Sequence, residues 1–409
     1  MHTRLRYFWM ALLVLIIVVD PLVYIRLRHL LQAGHWLYPV IYWMVPVLLM
    51  CWFLLLLRFH SFHAKNPAVQ KKYFNFFGAF ILFYLPKLLF MLAVLVEELI
   101  NMLIDQVSMY DIEVQFITSF SGMLAAALFL LIFYGMLYGR FHFKKENVLL
   151  RHEQLPEVFD GLRIAHISDL HIGSWEGHPK KLQRAVDMIN RQKPDLIVFT
   201  GDLFNNYYEE ISQFRGILKQ LEASLGKFAV LGNHDYGDYF HWSTRDDYLA
   251  NFQSVQSTYR ELGFHLLLND GTTLSRGNKR IGLAGVENWG LPPFHQHGDL
   301  NRALSQLNGA DFTILLSHDP SHWRQQVLKT DRVELTLSGH THAMQFGIYT
   351  PWFKWSPAKI KYPEWGGLYK EGDQYLYVNK GLGYIGFPGR VGIRPEITLI
   401  TLEQKKGDR

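Results

Sequence analysis

Four apolar runs crowd the first 140 of 409 residues: Tyr7–Ile25, Trp36–Leu57, Phe76–Val96 and Phe120–Tyr138. A helix needs about 20 apolar residues to cross a bilayer core, so residues 1–140 are expected to be a transmembrane four-helix region. The first run is interrupted by Asp20-Pro21, and Tyr7–Val19 behind Arg4 and Arg6 has the outline of a signal-peptide core. No small-residue cleavage site follows, so it reads as an uncleaved helix. Ten basic residues flank one side of the spans: Arg4, Arg6, Arg58, Lys65, Lys71, Lys72, Arg140, Lys144, Lys145 and Arg151. The first and third loops hold only Arg26 and Arg28, and the third carries Glu97, Glu98, Asp105, Asp111 and Glu113. Lys and Arg concentrate on the cytoplasmic side. That rule predicts an integral plasma (inner) membrane protein whose termini and C-terminal domain face the cytoplasm. Asp20 and Lys87 lie within spans and outside any transport motif, and read as charges that pair in the bundle or snorkel at a helix end.

The formal charge of +5 belongs to this half. Residues 1–155 contain 13 Lys and Arg against 8 Asp and Glu, while Pro156 to Arg409 contain 28 of each. A basic nucleic-acid footprint on the C-terminal part is therefore absent, and no nucleic-acid partner is expected. The single cysteine, Cys51, allows no intrachain disulfide.

Past a polar stretch, 141–155, read as a connector, the pattern changes to short apolar runs of β-type residues. Arg163–Ser168 leads into Asp169-Leu170-His171, and Asp195–Thr200 into Gly201-Asp202. Phe228–Leu231 leads into Gly232-Asn233-His234-Asp235, Phe312–Ser317 into His318, and Leu335–Ser338 into Gly339-His340-Thr341-His342. A sixth run, Ile281–Val286, ends at Glu287-Asn288 without a clear ligand. Unbroken apolar runs are the signature of buried strands. With helix-like stretches such as Lys180–Arg191 and Tyr248–Leu262 between them, they predict an α/β domain with a largely parallel or mixed sheet. Functional groups of such sheets gather at the carboxyl ends of strands, and five strands here deliver Asp, His or Asn at that end. Imidazole and carboxylate without thiolate suit borderline divalent ions, namely manganese, iron or zinc, rather than a structural zinc cage. Two such ions can clamp the attacking and leaving oxygens of a displacement at phosphorus.

The ordered series DLH, GD, GNHD, a lone His and GHTH resembles the signature of calcineurin-like metallophosphoesterases, over about Leu162–Leu402. The resemblance implies a four-layer α-β-β-α sandwich, residues 156–409, with two central mixed sheets. It implies two divalent metal ions, the first held by Asp169, His171 and His342 and the second by Asn233, His318 and His340, with Asp202 bridging. His234 would stand beside the metals as a catalytic residue, Asp235 would orient it, and a metal-bound water or hydroxide would be the nucleophile. His166, His178, His241, His265, His295, His297 and His322 have no motif context and read as structural or surface residues.

Departures from the pattern narrow the substrate. Asn205 stands where purple acid phosphatases carry a Tyr ligand, and the Asp-Arg-Gly and GNHE of protein phosphatases are missing. Ala343-Met344-Gln345 replaces the glycines that often follow GHTH, so a stiffer or differently shaped loop is expected there. Arg390 and Arg394, among the glycines of 381–396, are candidate substrate-binding residues, since Arg can hold phosphate bidentately; a fold-stabilising pairing is the alternative. Between Phe346 and Tyr369, eight aromatic residues interleave with Lys354, Lys359 and Lys361. That composition suits either a membrane-interface belt or an internal packing insert. The expected activity is hydrolysis of a phosphodiester or pyrophosphate bond in a membrane-associated or lipid-linked substrate, such as a UDP-diacylglucosamine-like molecule or a phospholipid. Two alternatives are a tethered nucleotide phosphodiesterase acting on a soluble substrate, and a membrane sensor or transporter with a regulatory phosphoesterase domain.

Overall fold

The computed structural model describes residues 2–30, 36–59, 65–103, 110–307 and 309–405. Asp105 lies outside the described residues. The chain divides into two compact units, one comprising 1–64 and 72–137, the other 65–71 and 138 onward.

The first unit contains the helices α1 (His2–Leu30), α2 (Leu37–Phe59), α3 (Pro67–Leu103) and α4 (Tyr110–Leu137). Among the described residues, three stretches are long and apolar enough to cross a membrane: Leu37–Arg58, Pro67–Ile100 and Ile117–Phe141. The first expected span falls within α1, which runs on through Pro21; its side chains are described from residue 13. Asp20 is fully buried and accepts hydrogen bonds from Tyr84 Oη (2.5 Å) and Tyr42 Oη (3.1 Å), while Lys87 Nζ lies 2.5 Å from its carboxylate. An unpaired charge in such surroundings would be costly, and the pairing of Asp20 with Lys87 removes that cost. Glu97 is buried too and accepts from Thr118 Oγ1 at 2.9 Å.

The second unit is a four-layer sandwich. Its strands are β1 (Lys144–His152), β2 (Leu162–Ile167), β3 (Leu196–Phe199), β4 (Lys227–Ala229), β5 (Phe264–Leu266), β6 (Asp270–Arg276) and β7 (Lys279–Gly285). They continue with β8 (Phe312–Leu316), β9 (Leu335–Ser338), a ribbon of β10 (Ile348–Tyr349) and β11 (Lys354–Trp355), β12 (Gly367–Glu371), β13 (Gln374–Val378) and β14 (Glu396–Gln404). One six-stranded sheet has the order β1-β14-β2-β3-β4-β5 and the other β12-β13-β9-β8-β7-β6. Both are mixed: β14 is antiparallel to β2, β6 to β7 and β12 to β13, whereas β2, β3 and β4 run parallel to one another, as do β7, β8 and β9.

Alternation along the strands explains the layers. Ile164, Leu196 and Val198 of the first sheet meet Ile314, Leu316, Leu335 and Leu337 of the second in one buried cluster. Ala165, Ile197 and Phe199 point the opposite way, as a period of two requires. They pack with α5 (Pro179–Asn190), α6 (Arg215–Leu218) and α7 (Arg245–Glu261). Helix α5 begins with Pro at its first position and buries Leu182, Ala185, Val186 and Ile189, a single stripe at helical spacing. The outer face of the second sheet is covered by α8 (Leu300–Ser305) and α9 (Ser321–Gln325), through Leu300, Ala303, Leu304 and Trp323. Thr244 and Asp299 cap α7 and α8 by accepting backbone N–H groups.

One expectation is corrected here. The stretch 141–155 is not a connector: Lys144–His152 form β1, paired in parallel with β14 from Lys144↔Glu396 to His152↔Gln404. Phe141 and Phe143 are buried in the core beneath α5. Strand β1 is an edge strand, where charged side chains such as Lys144, Lys145 and Glu146 guard against further pairing, and that charge disguised it.

Candidate metal centre

The carboxyl ends of five parallel strands converge on one place. Loops after β2, β3 and β4 bring Asp169, His171, Asp202, Asn233 and His234 from the first sheet. Those after β8 and β9 bring His318, His340 and His342 from the second. The backbone is forced to reach this arrangement. Asp169, His171, Asp202, His340 and His342 all have φ between 47° and 70°, a left-handed region that costs a non-glycine residue free energy and clusters at functional sites. Neighbouring glycines allow the approach. A Cβ on Gly232 would overlap the Asp202 carboxylate, and one on Gly339 would overlap Ser168 Oγ.

The donors form two groups. In the first, His171 Nε2 lies 2.9 Å from His342 Nε2, and Asp169 Oδ1 lies 3.2 Å from His342 Nε2. In the second, His318 Nε2 lies 3.3 Å from Asp202 Oδ2, 3.2 Å from His340 Nδ1 and 3.2 Å from Asn233 Oδ1. Asp202 stands between them, its Oδ2 also 3.5 Å from His171 Nε2. All seven residues that the resemblance marks as ligands are thus brought together.

The donor chemistry fits metal. His318 Nδ1–H donates to Thr200 O at 2.6 Å, which turns the Nε2 lone pair of the neutral ring toward a carboxylate oxygen and an amide oxygen. Three lone pairs facing one another at about 3 Å repel unless a cation or proton lies between them. Burial alone would lower the His318 pKa, yet the Asp202 charge and hydrogen bond push it up to about 10. The site demands positive charge at that point. Donors roughly 3 Å apart are also what ions with ligand bonds of about 2.0–2.2 Å require. Partners behind the ligands fix their rings, as supporting hydrogen bonds do in metal sites. His340 Nε2 pairs with Tyr362 Oη at 2.8 Å and lies 3.5 Å from Asp319 Oδ2, while Nδ1 faces His318 at the centre.

His234 stands beside the first group with its ring 4.9 Å from that of His171. Its Nδ1–H donates to Asn205 O at 2.7 Å, so Nε2 is the atom left for a reacting molecule. Burial lowers its pKa, with Asp202 acting in the opposite direction. The loop supplying that carbonyl is pinned by Glu210, whose carboxylate accepts from Asn205 N (2.6 Å) and Asn206 N (3.1 Å).

Two expectations fail in the details. The Asp235 carboxylate has no hydrogen bond to the His234 ring. It accepts instead from Gly232 N, Asp202 N, Leu203 N, Phe204 N and Tyr259 Oη, tying the loops after β3 and β4 together. Arg390 and Arg394 direct guanidinium N–H groups to backbone carbonyls, the fold-stabilising alternative to holding phosphate. Arg390 is buried and donates to the carbonyls of Lys380, Gly381 and Gly383, with Nη2 3.2 Å from His342 Nδ1. Arg394 donates to His142 O and Phe143 O, both at 2.9 Å. Each closes a loop: the buried Arg390 fork is engaged at all three nitrogens, and the exposed Arg394 commits Nε and Nη2 to the backbone. Beyond GHTH, Ala343, Met344 and Gln345 continue the left-handed backbone, and the Gln345 amide is locked to Phe387 O and Ile385 N, both at 2.7 Å. Tyr362 and Glu210 had no motif around them, and the Asn205 carbonyl acts on His234, 29 positions away, which no local pattern announces.

Replacing Asp202 with Asn is expected to lower metal content at both groups, from two ions per chain toward none, whereas His171→Ala retains one. Elemental analysis of the purified variants measures this. Two tightly held ions in Asp202→Asn would contradict the shared role.

Comparison with known proteins agrees with this geometry. Residues 162–344 match the family described as calcineurin-like phosphoesterase, and residues 5–140 match one described as probable calcineurin-like phosphoesterase, transmembrane domain. The uncharacterized metallophosphoesterase YkuE of Bacillus subtilis (strain 168) is 35% identical over 256 residues, which are 61% of this chain and 82% of that protein. A Danio rerio protein named transmembrane protein with metallophosphoesterase domain is 32% identical over 278 residues, 66% of this chain and 60% of its own length. A Bos taurus protein of the same name is 31% identical over 257 residues, 61% of this chain and 55% of its own length. The chain thus spans only a little over half of these two vertebrate relatives. The strand-end ligands, the paired donor groups and these similarities together make the chain a membrane-associated member of the calcineurin-like metallophosphoesterase family.

Proposed function

We propose that this hydrolase cleaves a phosphodiester or pyrophosphate bond in a lipid-linked or otherwise membrane-associated substrate, with two divalent ions, manganese before iron or zinc, at the centre. The observation that carries the reading is the convergence of seven donors into two adjoining groups with Asp202 between them. Asp169, His171 and His342 would hold one ion, and Asn233, His318 and His340 the other. Bound there, the ions supply Lewis-acid activation of water and neutralise charge on the phosphoryl group.

His234 has the remaining role. With Nδ1–H fixed on Asn205 O, Nε2 can carry a proton toward the leaving oxygen as its bond to phosphorus breaks. A bound phosphate anion favours the protonated ring. His234→Ala is expected to keep its metals but lose about 10²–10⁴-fold in kcat, the range of a positioned proton donor. A nitrophenolate leaving group needs no proton and should suffer far less. Equal losses on good and poor leaving groups would exclude proton donation and favour charge stabilisation.

The lipid reading draws support from the segment 346–369, which divides in two. Tyr362 and Trp365 pack with Ala343, Ala358 and Ile393. Trp352 is 94% exposed and Ile360 89%, with Phe353 and Trp355 exposed beside them on or near the β10–β11 ribbon. Lys354, Lys359 and Lys361 are exposed among them. Large apolar rings displayed beside lysines suit a headgroup layer, where ring bodies find apolar surroundings and ammonium groups find phosphates. Changing Trp352, Phe353 and Trp355 together to Ser should leave hydrolysis of a soluble diester near normal and strongly reduce it on lipid substrate in vesicles. Equal loss on both, or aggregation, would favour a packing role.

The flanking charges support a catalytic domain on the cytoplasmic face of the plasma membrane. A reporter fused after Arg409 should then signal from the cytoplasm. Cleavage of the domain by protease added to intact cells would reverse the assignment.

A further inference from the structure

The start of helix α3 is fixed by its own sequence. Asn66 Oδ1 accepts from Ala68 N at 2.9 Å, and Pro67 takes the first helical position, where a missing N–H costs nothing. Residues 65–71 belong to the catalytic unit. Three side chains of this short segment reach loops beside the metal centre. Lys71 Nζ donates to Glu176 O at 2.9 Å, in the loop that follows His171. Lys65 Nζ lies 3.7 Å from the Glu209 carboxylate and 4.4 Å from the centre of the Trp242 ring. Gln70 is buried, and its Oε1 accepts from Asn205 Nδ2 at 3.4 Å.

Asn205 is the residue whose carbonyl receives His234 Nδ1–H. A peptide group is planar, so Asn205 O turns together with Asn206 N, which Glu210 holds at 3.1 Å. The buried Asn205 side chain is held separately. Its Nδ2 also donates to Ser174 Oγ at 3.3 Å, so Gln70 and Ser174 take both amide hydrogens. Removing the Gln70 acceptor leaves one of those hydrogens buried without a partner, which is unfavourable. Asn205 then recovers a partner only by turning, and its carbonyl moves with it. A proton donor tolerates little of that, since about 1 Å of misplacement can cost on the order of 10²-fold in rate.

We propose that Gln70 is a positioning residue for His234: it acts through Asn205 and does not touch the reacting molecule. The inference rests on the proton-donor role proposed above and carries the site into a segment that the ligand motifs do not reach. Lys65 and Lys71, which the charge pattern assigns to the cytoplasmic edge of the membrane, gain a second use in seating this segment on the loops after His171 and Asp202.

The test uses the manganese-loaded full chain in detergent, with the phenyl and 4-nitrophenyl esters of thymidine 5′-phosphate as substrates. Phenolate needs a proton on leaving and nitrophenolate does not. Gln70→Met, which keeps the bulk and removes the acceptor, should retain both metals and an unchanged KM. Its kcat should fall about three- to tenfold on the phenyl ester, as the loss of one hydrogen bond warrants, and less than about twofold on the nitrophenyl ester. Introduced into His234→Ala, the same change should cost nothing further, because residues acting through one group are not additive. Should Gln70→Met not fold, Lys71→Met, altered at a half-buried position, is expected to show the same leaving-group pattern more weakly. Equal losses on the two esters, an undiminished loss in the His234→Ala background, or no loss at all overturns the positioning role and leaves the phosphoesterase reading standing. A wild-type chain that cleaves neither ester removes both.

Discussion

Mutual repulsion of electron pairs is the constraint around which this catalytic unit is built. Imidazole nitrogens, carboxylate oxygens and an amide oxygen are held about 3 Å apart in buried surroundings. Nothing in their own chemistry favours that crowding without positive charge. The two sheets must therefore hold it by packing. Since one sheet supplies Asp169, His171, Asp202 and Asn233 and the other His318, His340 and His342, the centre straddles the seam between them. The apolar layer containing Ile164, Val198, Ile314 and Leu337 does more than exclude water: it sets the relative height of two sets of ligands.

Strain and support sit together at this seam. Left-handed backbone at five of the donors is tolerated because the surrounding loops are over-determined. The Asp235 carboxylate ties the β3 and β4 loops together through four backbone N–H groups, and the Arg390 guanidinium gathers carbonyls around the loop that touches Asp169 and His342. A charged side chain near a phosphate site need not meet phosphate. In both cases the charge satisfies backbone groups of a turn that no regular element could satisfy.

The difference between what was legible in the sequence and what was not follows from range. Buried strands ending in Asp or His announce themselves locally, because burial forces an unbroken apolar run and the ligand comes next in the chain. His340 and His342 could be read for the same reason. Strand β1 could not, since an edge strand tolerates the Lys-Lys-Glu that disguises it. The partners of Asp235 and the choice between the two readings of Arg390 were not legible, because sequence adjacency to His234, or the affinity of Arg for phosphate, says nothing about which backbone groups lie within reach.

Strand β1 also bears on how the catalytic unit forms. Its one partner in the sheet is β14, and paired residues such as Arg151 and Glu403 are 252 positions apart. Closing so long a loop is paid in entropy before any contact returns it, and folds dominated by distant pairings form slowly. During synthesis β1 emerges directly behind the helices of the first unit and then waits, an open edge, while twelve other strands are made. The charges that hid it from pattern reading give it protection during that interval: Lys144, Lys145, Glu146 and Arg151 make it a poor template for a neighbouring chain, so that the strand with the longest delay before pairing is also among the least adhesive.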